Sequence, residues 1–342
     1  MTNINNSEKL FITGGNGFIG SHLLPHLISK GYSIKCLLRE TSNTKRIEGL
    51  EYEYIIGDIR DISCLTEGIK DCHGIIHLAA IANWNDIGSS QVYNVIVEGT
   101  NNVLRAAKNN GNIRTVFVSS AAAVGGTRDA YIQNENEQFG LKDNKYSYAS
   151  AKFKAEKLCQ KYVIKGLPVI IVNPTEVFGP GDIDLVTAKT LVEFAKCKQI
   201  FITKGGTSIV HVQDVAQGIL AAYKKGDIGE RYILGGDNLN FYELSALTLK
   251  ILNMKKSIIT VPHLLVKLFI ILSRFFKLKS GINPAAMEYA LLYWFMDNIK
   301  AKRKLNIKFR SAKDTLIPTL EWLREEGFIS MDNTPNHNEN KG

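Results

Sequence analysis

Two residues of this chain have the types and the spacing for proton transfer. Tyr148 and Lys152 stand four positions apart in the run Tyr-Ala-Ser-Ala-Lys, and side chains four apart share one face of a helix. An adjacent ammonium favours the phenolate, so the spacing predicts a tyrosine with a lowered pKa that serves as acid and base near neutral pH. Tyr146 is a rival, but the residue four positions after it is Ser150, which carries no charge. Because a tyrosine and a lysine at this spacing also occur by chance, the functional interpretation needs a second motif elsewhere in the chain.

A glycine motif near the N-terminus is this second motif. An apolar segment at 10–13 leads into Gly14, Gly17 and Gly20, whose spacing is G-x-x-G-x-x-G. In a strand–turn–helix unit such glycines allow a tight turn, a close approach of the backbone to a pyrophosphate, and close packing of the helix on the strand. The N-terminal N–H groups of the helix then face the phosphates. The position between a strand and a helix predicts a dinucleotide site rather than a simple tight turn.

The elements that must position these residues alternate along the first half of the chain. Strand-like apolar runs and helical patterns follow one another, which predicts an α/β fold with a doubly wound parallel sheet covered on both faces. Cofactor and substrate should meet at the carboxyl ends of the strands, where the strand order reverses. The predicted strands are 10–13, 33–38, 53–56, 74–78, 115–119, 168–172, 208–212 and 231–234, and the predicted helices include 91–108, 148–165, 213–223 and 242–252.

The same patterns divide the chain into parts. We expect a dinucleotide-binding domain at 8–172 and a substrate-binding lobe of mixed structure at 173–330. No sharp linker separates them, so the two should interleave. The tail at 331–342 is rich in Asn, Asp, Pro and Gly and is predicted to be disordered.

The two motifs together resemble those of the extended short-chain dehydrogenase/reductase family, also called the epimerase/dehydratase family. The likeness extends over most of the chain, and further matching segments lie at 57–61, 77–80, 116–121, 179–182 and 210–216. The resemblance implies a Rossmann-type fold. It is nearest to the dihydroflavonol-reductase-like and hydroxysteroid-dehydrogenase-like members, because Asn173 stands where sugar-nucleotide members more often carry an arginine. One departure is Ile96, at a position where the family often has an asparagine; Asn94 lies nearby but out of register.

This resemblance implies roles for individual residues. The catalytic set would be Ser120, Tyr148 and Lys152, with Ser119 as an alternative hydroxyl; Ser120 is preferred because it directly precedes an alanine-rich turn. The implied cofactor contacts are Thr13, Gly14, Gly17, Phe18, Ile19, Gly20, Arg39, Arg46, Asp58, Ile59, Ala79, Ala80, Tyr148 and Lys152. A homodimer is also implied by the resemblance.

The end of the second strand indicates which nicotinamide cofactor is bound. Sites that prefer NAD place an acidic side chain there, on the ribose 2′-hydroxyl. In this chain that position is Leu38, and Arg39 follows it. An arginine fork suits a 2′-phosphate, and Arg46 is a candidate second contact, so NADP is favoured over NAD. In the alternative interpretation Arg39 is a surface charge and Glu40 binds the ribose.

Composition narrows the class of protein. The chain has 342 residues, 45% hydrophobic and 22% charged, which is typical of a globular protein with a large core. The formal net charge of +9 is spread along the chain, which favours a solvated basic face over a nucleic-acid site. The five cysteines include no C-x-x-C pair, so no metal site is expected. The odd cysteine count and a polar N-terminus predict a cytoplasmic location.

An apolar stretch at 264–276 bears on the substrate. It is shorter than the roughly 20 residues that a membrane span needs, and it contains Lys267 and Arg274. It is interpreted as a helix over the substrate pocket or, alternatively, as an amphipathic helix in peripheral contact with a membrane surface. Either interpretation indicates an apolar small-molecule substrate.

The predicted function is therefore an NADP-dependent oxidoreductase that reduces a ketone or an aldehyde, or oxidises the matching alcohol. One alternative is an NAD-dependent sugar-nucleotide epimerase or dehydratase. Another is a dinucleotide-sensing or scaffold protein without catalysis, although a sensor has no need of both Tyr148 and Lys152. The substrate itself is not predicted, because pocket loops vary freely on one fold.

Overall fold

The structure is a computed structural model that describes residues 8–81, 91–141, 146–275 and 284–330. The strands are β1 Lys9–Thr13, β2 Ser33–Leu38, β3 Glu53–Ile56, β4 Gly74–His77, β5 Arg114–Val118, β6 Val169–Pro174, β7 Glu176–Phe178, β8 Ile200–Ile202, β9 Gly206–His211, β10 Arg231–Leu234, β11 Asn238–Asn240, β12 Ile258–Thr260 and β13 Tyr293–Trp294. The α-helices are α1 Phe18–Ser29, α2 Ile62–Ile69, α3 Gln91–Tyr93, α4 Gly99–Asn109, α5 Ser147–Ile164, α6 Lys189–Lys196, α7 Val212–Lys225, α8 Phe241–Leu252, α9 His263–Phe275, α10 Pro284–Ala290, α11 Ile299–Leu305 and α12 Ala312–Glu325.

Seven parallel strands form the main sheet. Their order is β10-β6-β5-β4-β1-β2-β3, and every neighbouring pair runs parallel. The order reverses between β1 and β4, so the carboxyl ends of these two strands border the crevice in which such sheets bind ligands. The predicted α/β fold with a doubly wound parallel sheet is confirmed.

Burial on both faces explains why the inner strands of the main sheet are largely apolar runs. Successive side chains of a strand point to opposite faces. Leu10 and Ile12 therefore join a core shared with α1 and α7, while Phe11 joins the core shared with α2, α4 and α5. All three side chains are fully buried.

The second half of the chain builds a smaller mixed part and also returns to the main sheet. β11, β9 and β13 form one small sheet to which β7 adds, and β12 pairs with β8 in another. A third core lies among α6, α8 and α12. β10 instead pairs with β6 and completes the main sheet. The division of the chain at residue 172 into two interleaved parts stays a prediction.

Most predicted elements are present within one or two residues of their expected ends. An exception is the predicted helix at 91–108, where α3 and α4 are joined by a π-helical segment, Asn94–Glu98. A π-turn inside a helix often marks a functional site. Within the described residues, no helix is long and apolar enough to cross a membrane. The predicted disordered tail lies outside the described residues.

Candidate active site

The glycine motif forms a cradle between β1 and α1. Gly14 has φ +73°, and a Cβ there would lie 2.7 Å from the backbone nitrogen of Ala79. A Cβ on Gly20 would lie 2.4 Å from the carbonyl oxygen of Gly14, so the helix can pack on the turn only through glycine. A Cβ on Gly17 would instead approach only the Gly14 oxygen, at 3.3 Å. The turn is thus closed on the protein side and open at the N-terminus of α1, as a bound pyrophosphate requires.

Other predicted cofactor residues surround this turn. Phe18 and Ile19 are the half-buried first residues of α1, and Ala79 and Ala80, also half-buried, lie two and three residues after the end of β4. Thr13 ends β1, and its hydroxyl accepts a hydrogen bond from the Ala79 backbone N–H at 3.3 Å. The geometry therefore brings both strand ends of the crevice together around the glycines.

Ser120, Tyr148 and Lys152 lie at the carboxyl end of β5. Ser120 follows this strand and begins a short 3₁₀ turn, and its side chain is hydrogen-bonded to that of Tyr148 on α5. The Lys152 ammonium donates to the carbonyl oxygen of Val118 at 2.9 Å. It also lies 5.1 Å from the centroid of the Phe117 ring. The three residues that the sequence singled out are brought to one place.

Ser119 and Ser120 point to different partners. The Ser119 hydroxyl donates to the Glu156 carboxylate at 2.5 Å and is buried. The Ser120 side chain instead contacts Tyr148. Of the two candidates, Ser120 is therefore the one in contact with the phenol.

The pKa of Tyr148 does not shift in the direction that the four-residue spacing predicted. Burial raises the pKa of this phenol, and the hydrogen bond with Ser120 lowers it only in part. The predicted lowering by Lys152 is wrong for this arrangement, because the ammonium is directed at the Val118 carbonyl. Burial also disfavours the charged form of Lys152 and lowers its pKa to about 8, although the charges of Glu156 and then Cys159 raise it. A raised pKa keeps Tyr148 protonated at neutral pH, which suits a proton donor.

A buried polar network around Glu156 lies next to Ser119 and Ser120. The Glu156 carboxylate accepts from Ser119, from the Asn173 amide at 2.6 Å and from the Arg231 guanidinium at 3.1 Å. The Asn173 amide also donates to the Ser120 carbonyl oxygen at 2.9 Å. The network therefore holds the backbone of Ser120. The sequence analysis missed Glu156, although its position four residues after Lys152 on the same helix face was a usable signal.

His77 is a structural residue on the cofactor side. Its ring nitrogens lie 2.6 Å from the Thr13 hydroxyl and 3.1 Å from the Thr100 hydroxyl. Burial, and then the charge of Lys152, lowers the pKa of His77 to about 3. The imidazole is therefore neutral at physiological pH, and its hydrogen bonds connect β1 to α4.

The residues predicted to select the cofactor differ in their surroundings. Arg39 follows β2 and is exposed, and its positive charge contributes to lowering the pKa of Asp58. The largest cause of that lowering is Arg60, which binds the Asp58 carboxylate through two hydrogen bonds of 2.8 Å. Arg46 is mostly buried and donates to the Gly181 carbonyl oxygen and to Asp184. Arg39 is thus accessible beside the crevice, whereas Arg46 already has protein partners.

Two aromatic residues of the second half close the other side of the site. The Tyr289 hydroxyl on α10 accepts from the Ala149 backbone N–H at 3.2 Å, next to Tyr148. Its ring stacks on Trp294 with centroids 5.2 Å apart, and it meets Tyr146 edge-on. The sequence analysis did not single out Tyr289, because nothing in its local pattern indicates contact with α5.

Both the sequence and the structure of this chain are similar to those of known proteins. The model of the family described as the NAD dependent epimerase/dehydratase family matches residues 10–235. A protein of Synechocystis sp., provisionally named dihydroflavonol 4-reductase, is 28% identical, and the match covers 94% of this chain and 96% of that protein. Sterol demethylase protein B of Methylococcus capsulatus is 25% identical, with 93% and 99% covered.

Solved structures are also similar to this chain over nearly its whole length. The crystal structure of gox2253 superposes with a TM-score of 0.81 at 27% identity, and covers 95% of this chain and all of the other. DesIV, a dTDP-glucose 4,6-dehydratase from Streptomyces venezuelae solved with NAD and TYD, gives a TM-score of 0.75 at 24% identity, with 93% and 97% covered. At 24% identity, the similarity to DesIV concerns the fold alone.

Proposed function

Because the chain belongs to the NAD-dependent epimerase/dehydratase family, we propose that it reduces a ketone or an aldehyde on an apolar small molecule, with NADPH as the hydride donor. Membership of this family makes it an NAD(P)-dependent oxidoreductase. The observation that carries the finer proposal is the contact between Ser120 and a protonated Tyr148, with Lys152 on the same helix face. This arrangement supports proton donation to a carbonyl oxygen that becomes an alkoxide.

The cofactor would lie along the glycine cradle, with its pyrophosphate at the N-terminus of α1. The residues fit this group, because Gly17 leaves that end of the turn open and the strand ends of β1 and β4 border it. When bound, the nicotinamide supplies the hydride. Arg39 is exposed after β2, where the adenosine ribose would lie, and would offer a planar fork to a 2′-phosphate.

Three residues of the protein would orient the substrate, donate the proton and hold the positive charge. Ser120 donates a hydrogen bond that orients the substrate oxygen, and Tyr148 donates its proton to that oxygen. Lys152 holds the positive charge of the site near the nicotinamide ribose. Its hydrogen bond to the Val118 carbonyl fixes it at the end of β5. An apolar substrate agrees with the names of relatives such as sterol demethylase protein B.

Replacement of Tyr148 by Phe tests the catalytic assignment. We expect turnover of a carbonyl substrate to fall by about 10²-fold to 10⁴-fold while NADPH affinity stays within about two-fold, because only the proton donor is lost. Tyr146→Phe is the matched control, since this second tyrosine lies two residues away and contacts Tyr289 instead. If Tyr148→Phe retains wild-type turnover with the substrates found in a carbonyl screen, the assignment is wrong.

Replacement of Arg39 by Met tests the cofactor assignment by fluorescence titration. A charge-assisted hydrogen bond contributes about 1.5–3 kcal/mol, so NADPH should bind about 10-fold to 100-fold more weakly while NADH affinity is unchanged. Arg105→Met, an exposed arginine on α4, is the control. Tightly retained NAD in the purified wild-type protein would contradict the proposal and favour an epimerase or dehydratase.

A further inference from the structure

Helix α9 presents an apolar face to solvent. Six large hydrophobic side chains on it are exposed, including Leu264 at 76%, Ile271 at 62% and Phe275 at 79%. The other three are Leu265, Leu268 and Leu272. The spacing of 264, 268, 271 and 275 follows the helical repeat, so these residues form one continuous stripe. Scattered exposed hydrophobic residues are normal, but a contiguous stripe marks an interaction surface.

The opposite face of α9 is fixed to the protein. Val266 and Ile270 are buried and pack with Leu291, and Met287 of α10 adds to this cluster. α10 also contains Tyr289, which contacts the first turn of α5 beside Tyr148. The stripe is therefore the outer face of an ordered helix that lies one helix away from the proposed catalytic tyrosine.

The charged residues that lie near α9 in the sequence have one sign. No acidic residue occurs between Glu243 and Glu288 in the sequence. Lys267 on α9 and Lys255 before it are exposed. Burial lowers the pKa of His263 at the start of α9, and the positive charges of Lys267 and Arg128 lower it further. An exposed apolar stripe on a helix with basic residues on it and before it complements a surface with anionic headgroups and an apolar interior.

We propose that α9 is a membrane-surface anchor, which lies in the headgroup region of an anionic bilayer with its apolar stripe inserted. At 13 residues α9 is too short to span a bilayer, which needs roughly 20, so it would lie along the surface. Lipid is favoured over a second copy of the chain because pairing two α9 stripes would bring like charges together. The inference does not depend on the proposed reductase activity.

The test is flotation of the purified full-length protein with phosphatidylcholine vesicles, with and without about 30% phosphatidylserine. We expect the wild-type protein to float with the anionic vesicles and to be released in part at about 0.5 M salt. The variant Leu264→Ser/Leu268→Ser/Ile271→Ser should lose binding by at least about 30-fold, because insertion strength scales with buried apolar area. A Lys255→Gln/Lys267→Gln variant should bind anionic vesicles several-fold more weakly.

The control variant is Ile164→Ser/Ile228→Ser, which removes two exposed isoleucines, 85% and 54% accessible, outside α9. It should float like the wild type. Circular dichroism melting and NADPH binding establish that each variant is folded. The proposal is overturned if the wild type does not float, or if the triple variant floats equally well. It is also overturned if the triple variant changes only the oligomeric state measured by light scattering, which would assign the stripe to a second copy.

Discussion

Glu176 on β7 should make the stability of this protein fall as the pH rises. Burial raises the pKa of its carboxyl from the ordinary 4.5 to about 7, and a hydrogen bond with Thr207 lowers it only in part. The folded protein therefore keeps this proton to a higher pH than the unfolded chain does. The resulting stabilisation is fully present below pH 4.5 and is lost as the pH rises through about 7.

The size of the effect follows from the two pKa values. A difference between 4.5 and about 7 corresponds to about 3 kcal/mol in total, of which about 2 kcal/mol falls between pH 5 and pH 8. With 342 residues and an unfolding entropy of about 2.1 cal/mol/K per residue, 2 kcal/mol corresponds to about 3 °C in Tm. Gln cannot ionise, so Glu176→Gln should remove this dependence.

The assay is thermal unfolding of the wild type and of Glu176→Gln at half-unit steps from pH 5 to pH 8. The variant should gain about 3 °C relative to the wild type across that range. Histidines with a lowered pKa, such as His22 and His211, change stability in the opposite direction below pH 6.5, but they are present in both proteins and cancel in the difference. Glu325→Gln, on the exposed side of α12, is the control. A wild-type-minus-variant difference that stays constant with pH would refute the reasoning.

Three further predictions concern the candidate active site. Ser120→Ala should lower kcat by about 10²-fold, whereas Ser119→Ala, which loses its bond to Glu156, should lower Tm more than kcat; steady-state kinetics and thermal unfolding separate the two. Glu156→Ala should cost about 3 kcal/mol in denaturant unfolding because it leaves Arg231 mostly buried without its carboxylate, and adding Arg231→Met should recover part of that loss. Gly20→Ala should abolish NADPH binding in fluorescence titration, because its Cβ would meet the Gly14 oxygen, while Gly140→Ala, with open space around it, should not.

The fold was predictable because its determinants are local. β2 and β3 have the predicted ends, since each is a short strand-like run bounded by turn residues and paired in a parallel sheet. Gly14, Gly17 and Gly20 could be assigned separate roles because the chemistry of a tight turn at a phosphate site allows little else. The spacing of motif residues in the sequence therefore predicts well which residues lie close together in the fold.

The surroundings of those residues were harder to predict, because they depend on distant parts of the chain. The pKa of Tyr148 is set by burial and by the Ser120 contact rather than by Lys152, and neither is visible in the spacing of 148 and 152. Arg231 and Tyr289 reach the site from 75 and 140 residues away in sequence, from Glu156 and Ala149 respectively. The exposed face of α9 is likewise a property of tertiary packing, because its sequence is apolar on several sides.

The position of β10 has a consequence for how the molecule is made. This strand forms the edge of the main sheet beside β6, yet it is synthesised only after β7, β8 and β9 of the smaller sheets. During translation β6 therefore has an unpaired edge, and an unpaired strand edge is a site of aggregation. A fragment that stops at residue 172 would carry the same exposed edge and would lack the Arg231 partner of Glu156. We therefore expect chaperone demand to persist until β10, about two thirds of the way along the chain, has left the ribosome.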